Sequence, residues 1–276
     1  MHFQKRLSDM KKAIYLSLIL LFVISLFSCE CGNSFDSSEN QTVKIEHILT
    51  IEPPNELFVT VQGAIFDGEH YYIAFVNNYL PTETAIIVKT DKHGNEVKRS
   101  AILPLDHANS ITLIENGNLI IAHCQSPDGH YYRYSVVDKD TFTITETKDL
   151  DEPFMSIAYC REKKCFVSGE WNGDKMNVYG KDLQILYSFN VNYKENSFPQ
   201  SYFCTEDAIY AVRCINDGSF HNYLYAFSYE GETLLEYKID LPRLTEAEAV
   251  SLVGADVYII CGDSGKCIVY KITDLI

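Results

Sequence analysis

The sequence has little tryptophan and proline, and it lacks a helical repeat of apolar residues. It holds 1 Trp and 8 Pro among 276 residues. Apolar positions do not recur at the spacing of three to four residues that is typical of amphipathic helices. Only the segment LPRLTEAEA, from Leu241, suggests a turn of helix. This absence excludes helical bundles and α/β folds and leaves an all-β class.

Basic side chains are also scarce. The chain carries 23 Lys and Arg against 38 Asp and Glu, a net charge of −15. Four of the basic residues (Lys5, Arg6, Lys11 and Lys12) lie within the first 28 positions, so the remainder is more acidic still. No basic patch offsets this charge, and an acidic surface repels phosphate backbones. We therefore expect no nucleic-acid partner.

No apolar run is long enough to span a membrane. The longest extends from Ala13 to Phe27, whereas a spanning helix needs about 20 residues. It follows Lys11 and Lys12 and ends just before Cys29, which is typical of a secretion signal over residues 1–28. Residues 29–43 are polar and Ser-rich and cannot bury a core, so they predict a flexible stalk.

The segment Leu26-Phe27-Ser28-Cys29 resembles the lipobox of bacterial lipoproteins. The resemblance implies that Cys29 is lipidated and holds the chain on a bilayer of the bacterial cell envelope, with the outer membrane favoured. Phe27 departs from the pattern, which usually has a small residue there. An ordinary signal peptide cleaved nearby is the alternative.

A repeat of about 45 residues organises the rest of the chain. Each copy begins with an apolar strand, a polar turn and a second apolar strand, and the copies start at Gln62, Ser110, Ser156, Gln200 and Glu248. A third strand, a turn and a more polar fourth strand follow in the first four copies. Four strands at this period predict a β-propeller, here with five blades over residues 44–276.

The fifth copy stops after its third strand, CIVYKI. An apolar strand at an open sheet edge is a template for pairing with other chains. Residues 44–51, KIEHILTI, form an apolar strand with no hairpin partner. We predict that this N-terminal strand pairs with CIVYKI in the last blade and closes the ring.

The repeats resemble the five- and six-bladed propeller lipoproteins that are common in Bacteroidetes. The resemblance depends on the lipobox, the turn VKTDKHGNEV and the hairpin DGEHYYIA, and it covers residues 44–276. It implies an architecture rather than an activity. No motif matches a calcium-binding, quinone-binding or WD-type signature, so we predict no cofactor.

Two pairs of cysteines flank short turns and could form disulfides in an oxidising compartment. They are Cys160 with Cys165 and Cys261 with Cys267. Buried free thiols are the alternative, and they are favoured for Cys124, Cys204 and Cys214. The cysteine spacings do not match a zinc site.

Propellers usually bind ligands over the channel, between the starts of the innermost strands and the loops after the second strands. On that rule the candidate ligand-binding residues are Gln62, His107, His123, Glu170, Trp171, Gln200, Arg213 and Glu248. Further positions that the rule brings to this face are Asn77, Asn78, Tyr79, Ser110, Ser156, His221, Glu246 and Asp263.

Three chemistries compete for this face. His107, His123 and His130 could bind a metal, but no carboxylate is fixed beside them by spacing, so no metal site is predicted. Asp106, Glu170 and Glu248 could serve glycoside hydrolysis, although no acidic motif of a glycosidase is present. We therefore favour a lipid-anchored, non-catalytic propeller that binds a protein or glycan, without catalytic residues. The alternative is a hydrolase or lyase acting on polysaccharide at the cell envelope.

Overall fold

In the part of the chain that the structure describes, twenty strands form five four-stranded antiparallel sheets, which we call blades I to V. The computed structural model describes residues 43–77, 83–124, 132–170, 174–193, 197–215, 218 and 220–276. Within these ranges there is no helix, and hence no helix that could cross a membrane. The chain is an all-β, five-bladed propeller, as the repeat predicts.

The first four blades each use four strands that are consecutive in the chain. Blade I contains β2 (Thr60–Phe66), β3 (His70–Val76), β4 (Ala85–Asp91) and β5 (Glu96–Arg99). Blade II contains β6 (Ser110–Leu113), β7 (Leu119–Ala122), β8 (Arg133–Val137) and β9 (Ile144–Asp149). Blade III contains β10 (Ser156–Cys160), β11 (Cys165–Gly169), β12 (Lys175–Tyr179) and β13 (Ile185–Asn190). Blade IV contains β14 (Phe198–Cys204), β15 (Ile209–Ile215), β16 (His221–Phe227) and β17 (Thr233–Ile239).

Blade V is assembled from both ends of the propeller domain. It contains β18 (Glu246–Val253), β19 (Asp256–Asp263), β20 (Lys266–Thr273) and, as its outer strand, β1 (Lys44–Ile51). β1 runs antiparallel to β20, with Lys44 opposite Thr273 and Ile51 opposite Cys267. The predicted closure is confirmed, and β1 covers the edge that CIVYKI would otherwise expose.

Each blade packs between two others, and this explains the repeating pattern of the sequence. Five apolar clusters fill the five interfaces between neighbouring blades. The cluster between blades V and I joins Tyr71 and Phe75 of β3 to Ile260 and Val269. Inner strands are buried on both faces, as in β3, whereas the outer strand β5 is exposed along its length. The fourth strand of each repeat is therefore the most exposed.

Hydroxyl side chains connect the innermost strands of neighbouring blades. Ser110 Oγ accepts a hydrogen bond from the backbone N–H of Ile157 at 3.0 Å, and Ser251 Oγ accepts one from Phe66 at 3.0 Å. Thr112 Oγ1 accepts one from Tyr159 at 2.9 Å. These strands have no sheet partner on their inner side, so hydroxyls supply the acceptors that buried N–H groups need.

The suggested helical turn in LPRLTEAEA is wrong. Glu246 to Ala249 belong to β18, which pairs with β19 and is mostly buried. Helix-favouring residues are overridden here because the strand is packed between neighbouring blades.

The two predicted cysteine pairs differ in geometry. Cys160 lies directly opposite Cys165 in the β10–β11 hairpin, and both are buried free thiols. Cys261 instead lies opposite Ile268, because Cys267 pairs with Gly262. Cys261 packs in the cluster between blades IV and V and Cys267 in the cluster between V and I, on opposite faces of the blade. A disulfide between Cys261 and Cys267 is therefore wrong.

The sequence favours buried thiols, rather than disulfides, for three further cysteines: Cys124, Cys204 and Cys214. All three are buried in the structure, as small side chains of the core.

Candidate functional site at the channel mouth

A cavity of about 650 Å³ lies where the innermost strands begin, and all five blades line it. The innermost strands lie side by side around the central axis, so the cavity occupies the mouth of the channel. Its polar lining includes Gln62, His107, Asn109, Gln200, Thr245, Glu246, Glu248, Asp263 and Ser264. Its apolar lining includes Val59, Val61, Met155, Phe198, Phe220 and Leu244. The mouth is therefore not plugged by apolar side chains.

β-Bulges place three of the polar residues in this cavity. The register of β2 shifts between Val61 and Ala64, that of β14 between Pro199 and Ser201, and that of β18 between Ala247 and Ala249. Gln62, Gln200 and Glu248 fall within these shifts. A bulge redirects a side chain that regular alternation would bury in an interface.

Hydrogen bonds among residues of the cavity lining link the blades to one another. The side-chain amide of Gln200 donates to Glu246 Oε1 at 2.5 Å. The side-chain amide of buried Asn109 donates to the carbonyl oxygens of Met155 at 3.0 Å and Gln200 at 3.2 Å. Asn109 thus joins blade II to blades III and IV across the channel.

A second set of contacts fixes the start of β18. Asn222 donates its side-chain amide to the carbonyl of Thr245 at 2.8 Å and accepts from the backbone N–H of Ala247 at 2.9 Å. Thr245 donates its hydroxyl to the carbonyl of Gly262. These bonds fix the start of β18, the strand that carries Glu246 and Glu248, against β16 and β19.

Glu248 is the most unusual group in the cavity. Its side chain is only 5% exposed, and no hydrogen bond to its carboxyl group occurs among the described residues. Burial raises the pKa of Glu248 well above its ordinary value, and the nearby Glu246 raises it further. Burial also raises the pKa of Glu246, while hydrogen bonds from Gln200 and Cys214 and the charge of His107 oppose the increase. The cavity therefore favours the neutral forms of both acids.

The two described histidines of the predicted site have different surroundings. His107 lines the cavity and its Nδ1 lies 2.9 Å from Glu83 Oε2. His123 is buried outside the cavity, with Nδ1 2.8 Å from Asp106 Oδ2 and Nε2 2.8 Å from Ser135 Oγ. Among the described residues, no group of three possible ligands is arranged for a metal ion. His130 lies outside the described residues.

The buried chain Asp106–His123–Ser135 has the order of groups found in hydrolase triads. Ser135 is fully buried, however, and its hydroxyl is also within 2.8 Å of Thr147 Oγ1. A nucleophile that substrate cannot reach has no catalytic use, so this chain fastens the loop of Asp106 to blade II.

The predicted residues thus divide into two groups. The structure brings Gln62, His107, Gln200 and Glu248 together in the cavity, with Glu246 and Asp263 beside them. Glu170 lies elsewhere and pairs with Lys175 at 3.2 Å. Because neither Glu170 nor Asp106 lines the cavity, the three carboxylates considered for glycoside hydrolysis are not brought together. Cys29, Trp171, Asn78 and Tyr79 lie outside the described residues.

Arg213 also lies outside the cavity lining. Pro199, its register partner, does line the cavity, but the guanidinium packs 3.7 Å from the ring centre of Tyr193. Arg213 Nε donates to Ser197 Oγ at 2.8 Å, and a second nitrogen donates to the Ser197 carbonyl. Arg213 therefore fixes the segment that precedes β14 and packs against Tyr193 instead of lining the cavity.

Sequence reasoning missed Asn109, Phe198, Phe220, Thr245 and Leu244. Asn109 immediately precedes the first strand of a repeat, and this position is the one signal that could have identified it. The apolar residues carry no sequence signal, since an exposed Phe or Leu resembles any other. Leu244 is 73% exposed on the rim of the cavity.

No protein-family model matches the sequence. No curated protein matches it either. Among solved structures, the chain is similar to the tail fibre of Staphylococcus aureus phage P68, with 14% identity and a TM-score of 0.61 over 86% of this chain and 54% of that one. It is also similar to Myxococcus xanthus glutaminyl cyclase, with 10% identity and a TM-score of 0.58 over 83% of this chain and 96% of the other.

The chain spans about half the length of the tail-fibre chain that it matches. At 10% and 14% identity these likenesses concern the fold alone. The propeller architecture is consistent with a ligand-binding scaffold. Chemically, the cavity offers buried acids, amide donors and acceptors, and apolar walls, the composition typical of a small-ligand or side-chain pocket.

Proposed function

We propose that this protein is a lipid-anchored, non-catalytic β-propeller that binds a protein or glycan ligand in the cavity at its channel mouth. One observation carries the proposal: the cavity is lined from every blade and contains a buried carboxyl group, on Glu248, without a hydrogen-bond partner among the described residues. A carboxyl group that is largely buried yet faces an open cavity is available to a ligand as a hydrogen-bond or ionic partner.

Exposed apolar groups on the rim support binding at the same place. Leu244 and Phe198 are 73% and 39% exposed and both line the cavity. The test is a screen of the full-length protein against glycan and peptide arrays, repeated with Leu244→Ser. We expect this variant to fold normally and to lose binding, because an exposed side chain contributes little to the core.

Leu234→Ser is the matched control. Leu234 is 55% exposed, and it lies on the outer strand β17, away from the cavity. We expect its binding to equal that of the unaltered protein. Equal binding by Leu244→Ser, or no ligand on either array, would contradict the proposed function.

The lipid anchor is supported by the basic start, the apolar run and the cysteine at position 29. In a bacterial host, we expect Cys29→Ser to abolish incorporation of a clickable fatty acid and to release the protein from the envelope membranes. Cys31→Ser, two residues away, is the control and should retain both. Label in the Cys29→Ser variant would contradict the anchor. Separating inner from outer membranes tests the favoured outer-membrane location.

A hydrolase or lyase acting on envelope polysaccharide is the second candidate. It is favoured by Glu246 and Glu248, two acids of one cavity whose pKa values are both raised, as a general acid requires. This candidate predicts release of reducing ends from polysaccharide and loss of that release in Glu248→Gln. Ligand binding without turnover favours the non-catalytic function.

A further inference from the structure

The described lining of the cavity contains acids but no lysine or arginine. Glu246, Glu248 and Asp263 contribute carboxyl groups. Within this described lining, the one basic side chain is that of His107, which is already paired with Glu83. Among ionic ligands, this described lining favours a cation, because an acid of the cavity can ionise to pair with it whereas no lysine or arginine is available to pair with an anion.

The three acids differ in their existing partners. Asp263 accepts hydrogen bonds from exposed Arg243 at 3.1 Å and from Ser264 at 2.8 Å. Glu246 accepts one from Gln200. Glu248 has no hydrogen-bond partner for its carboxyl group among the described residues, although the residue is only 5% exposed. Glu248 is therefore the acid that is left for a ligand.

The walls of the cavity indicate what carries the positive charge. Phe198, Phe220 and Met155 line it together with Leu244 at the rim. A hydrated inorganic cation gains nothing from such walls, whereas an alkylammonium group packs its methylene groups against them and directs its charge inward. Polar side chains such as Gln62 and Ser264 could also pair with carbohydrate hydroxyl groups, but a neutral sugar supplies no positive charge for Glu248. The combination fits a peptide better than a glycan.

We propose that the cavity binds the primary ammonium group of a peptide ligand, a lysine side chain or a free N-terminus, with Glu248 as its anionic partner. The inference rests on the proposed function and names the ligand class for the same site. The ammonium group enters between the apolar walls and donates hydrogen bonds to the Glu248 carboxylate and to the amide oxygen of Gln62.

Such binding must be coupled to proton release. Burial favours the neutral form of Glu248 in the empty cavity, so a cation that pairs with its carboxylate displaces the proton to solvent. The titratable groups around it are Glu246 on its own strand, Cys214 on β15, Cys261 and Asp263 on β19, Cys267 on β20 and His107 on the loop before β6. Affinity should rise with pH, by up to about tenfold per pH unit if Glu248 alone titrates.

The test is calorimetric titration of the full-length protein with two blocked peptides, acetyl-Leu-Lys-Leu-amide and the same peptide with Nε-acetyl-lysine. We expect the lysine peptide to bind at least tenfold more tightly and to release a proton, seen as a dependence of the heat on the buffer. Unblocked Leu-Leu-Leu-amide then tests the N-terminus as the source of the ammonium group. The comparison of two ligands on the unaltered protein needs no variant to fold.

Glu248→Gln keeps the shape of the side chain and removes its charge. We expect it to bind the lysine peptide at least tenfold more weakly and without proton release. Glu230→Gln, on the exposed turn before β17, should bind as the unaltered protein does.

Three results would overturn the inference. One is equal affinity for the lysine and acetyl-lysine peptides together with no binding of Leu-Leu-Leu-amide, and another is unchanged affinity in Glu248→Gln. The third is binding of a glucosamine oligomer when neither ammonium peptide binds, which would assign the site to a glycan. In that case the proposed function would stand, and only the peptide ammonium group as its ligand would be wrong. The same holds if only neutral ligands bind and Leu244→Ser abolishes their binding.

Discussion

The side-chain amide of Gln200 lies 2.5 Å from Glu246 and joins blade IV to blade V at the edge of the cavity. Asn109 makes comparable bonds from blade II to Met155 and Gln200. Because these contacts run between blades, the cavity has its shape only when the ring is closed. Ligand binding at the channel mouth therefore depends on β1, the N-terminal strand that closes the ring.

Replacing Glu248 with Gln should stabilise the protein relative to the unaltered chain, and this difference should increase as the pH rises. Burial raises the pKa of Glu248 in the fold, so between its ordinary value of 4.5 and its value in the fold the unfolded chain releases a proton that the native state retains. Stability is fully present below 4.5 and is lost as pH increases, by about 1.4 kcal/mol per pH unit over that window. Glu248→Gln removes this loss.

Thermal unfolding from about pH 4 to pH 8 measures the effect. The melting temperature of Glu248→Gln should approach that of the unaltered protein at the acid end and exceed it increasingly toward neutral pH. Glu230→Gln, a change on an exposed turn, should show no such divergence. Parallel curves for Glu248→Gln and the unaltered protein would mean that Glu248 is not held neutral by burial.

Loss of a hydroxyl between inner strands should weaken the ring. Thr112→Val keeps the shape of the side chain but leaves the backbone N–H of Tyr159 without its acceptor. Loss of this part-buried hydrogen bond should cost about 0.5–1.5 kcal/mol of unfolding free energy, measurable by urea denaturation. Thr233→Val, the same exchange at an exposed position of β17, should cost less than about 0.5 kcal/mol. Equal costs would contradict the role given to Thr112.

Arg213 should matter for stability and not for binding. Arg213→Lys retains the charge but loses the stacking on Tyr193 and the paired hydrogen bonds to Ser197. We expect a loss of about 1–3 kcal/mol in unfolding free energy. Affinity for any ligand of the cavity should be unchanged, because the guanidinium does not line it. Normal stability with weakened binding would restore Arg213 as a ligand contact.

Mild oxidation should distinguish the two cysteine pairs. Directly opposed residues of an antiparallel ladder have Cα atoms about 4.5–5.5 Å apart, within the reach of a disulfide. Hydrogen bonding from Cys165 also lowers the pKa of the Cys160 thiol, which favours the reactive thiolate. With diamide as oxidant, peptide mapping should find a Cys160–Cys165 disulfide and none between Cys261 and Cys267. The reverse result would refute the register of both hairpins.

The repeat and the ring closure could be predicted because they follow from burial. The inner strands of every blade are apolar on both faces because they pack between neighbouring blades, whereas the outer strands are largely exposed, so the same pattern recurs once per blade along the sequence. The unpaired apolar strand KIEHILTI has one edge available to it, and the structure pairs it there.

Details of register could not be predicted, since they depend on turns and bulges of one residue. Ser264 and Gly265 both have positive φ, 51° and 86°, and form a two-residue turn that pairs Asp263 with Lys266. This turn offsets Cys261 from Cys267. Likewise, bulges at Gln200 and Glu248 redirect side chains, because a shift of one residue moves a side chain to the other face of the strand. Arg213 lies opposite the bulge of β14, but its own strand β15 pairs with β16 without a register shift, so its side chain keeps the regular alternation.

The most direct test of the account is the melting temperature of the full chain after deletion of residues 44–51. The deletion removes β1 and exposes the edge of β20, which opens the apolar cluster between blades V and I where Ile51 packs. We expect a large decrease in the melting temperature and loss of ligand binding at the cavity. An unchanged melting temperature would contradict a ring closed by its N-terminal strand.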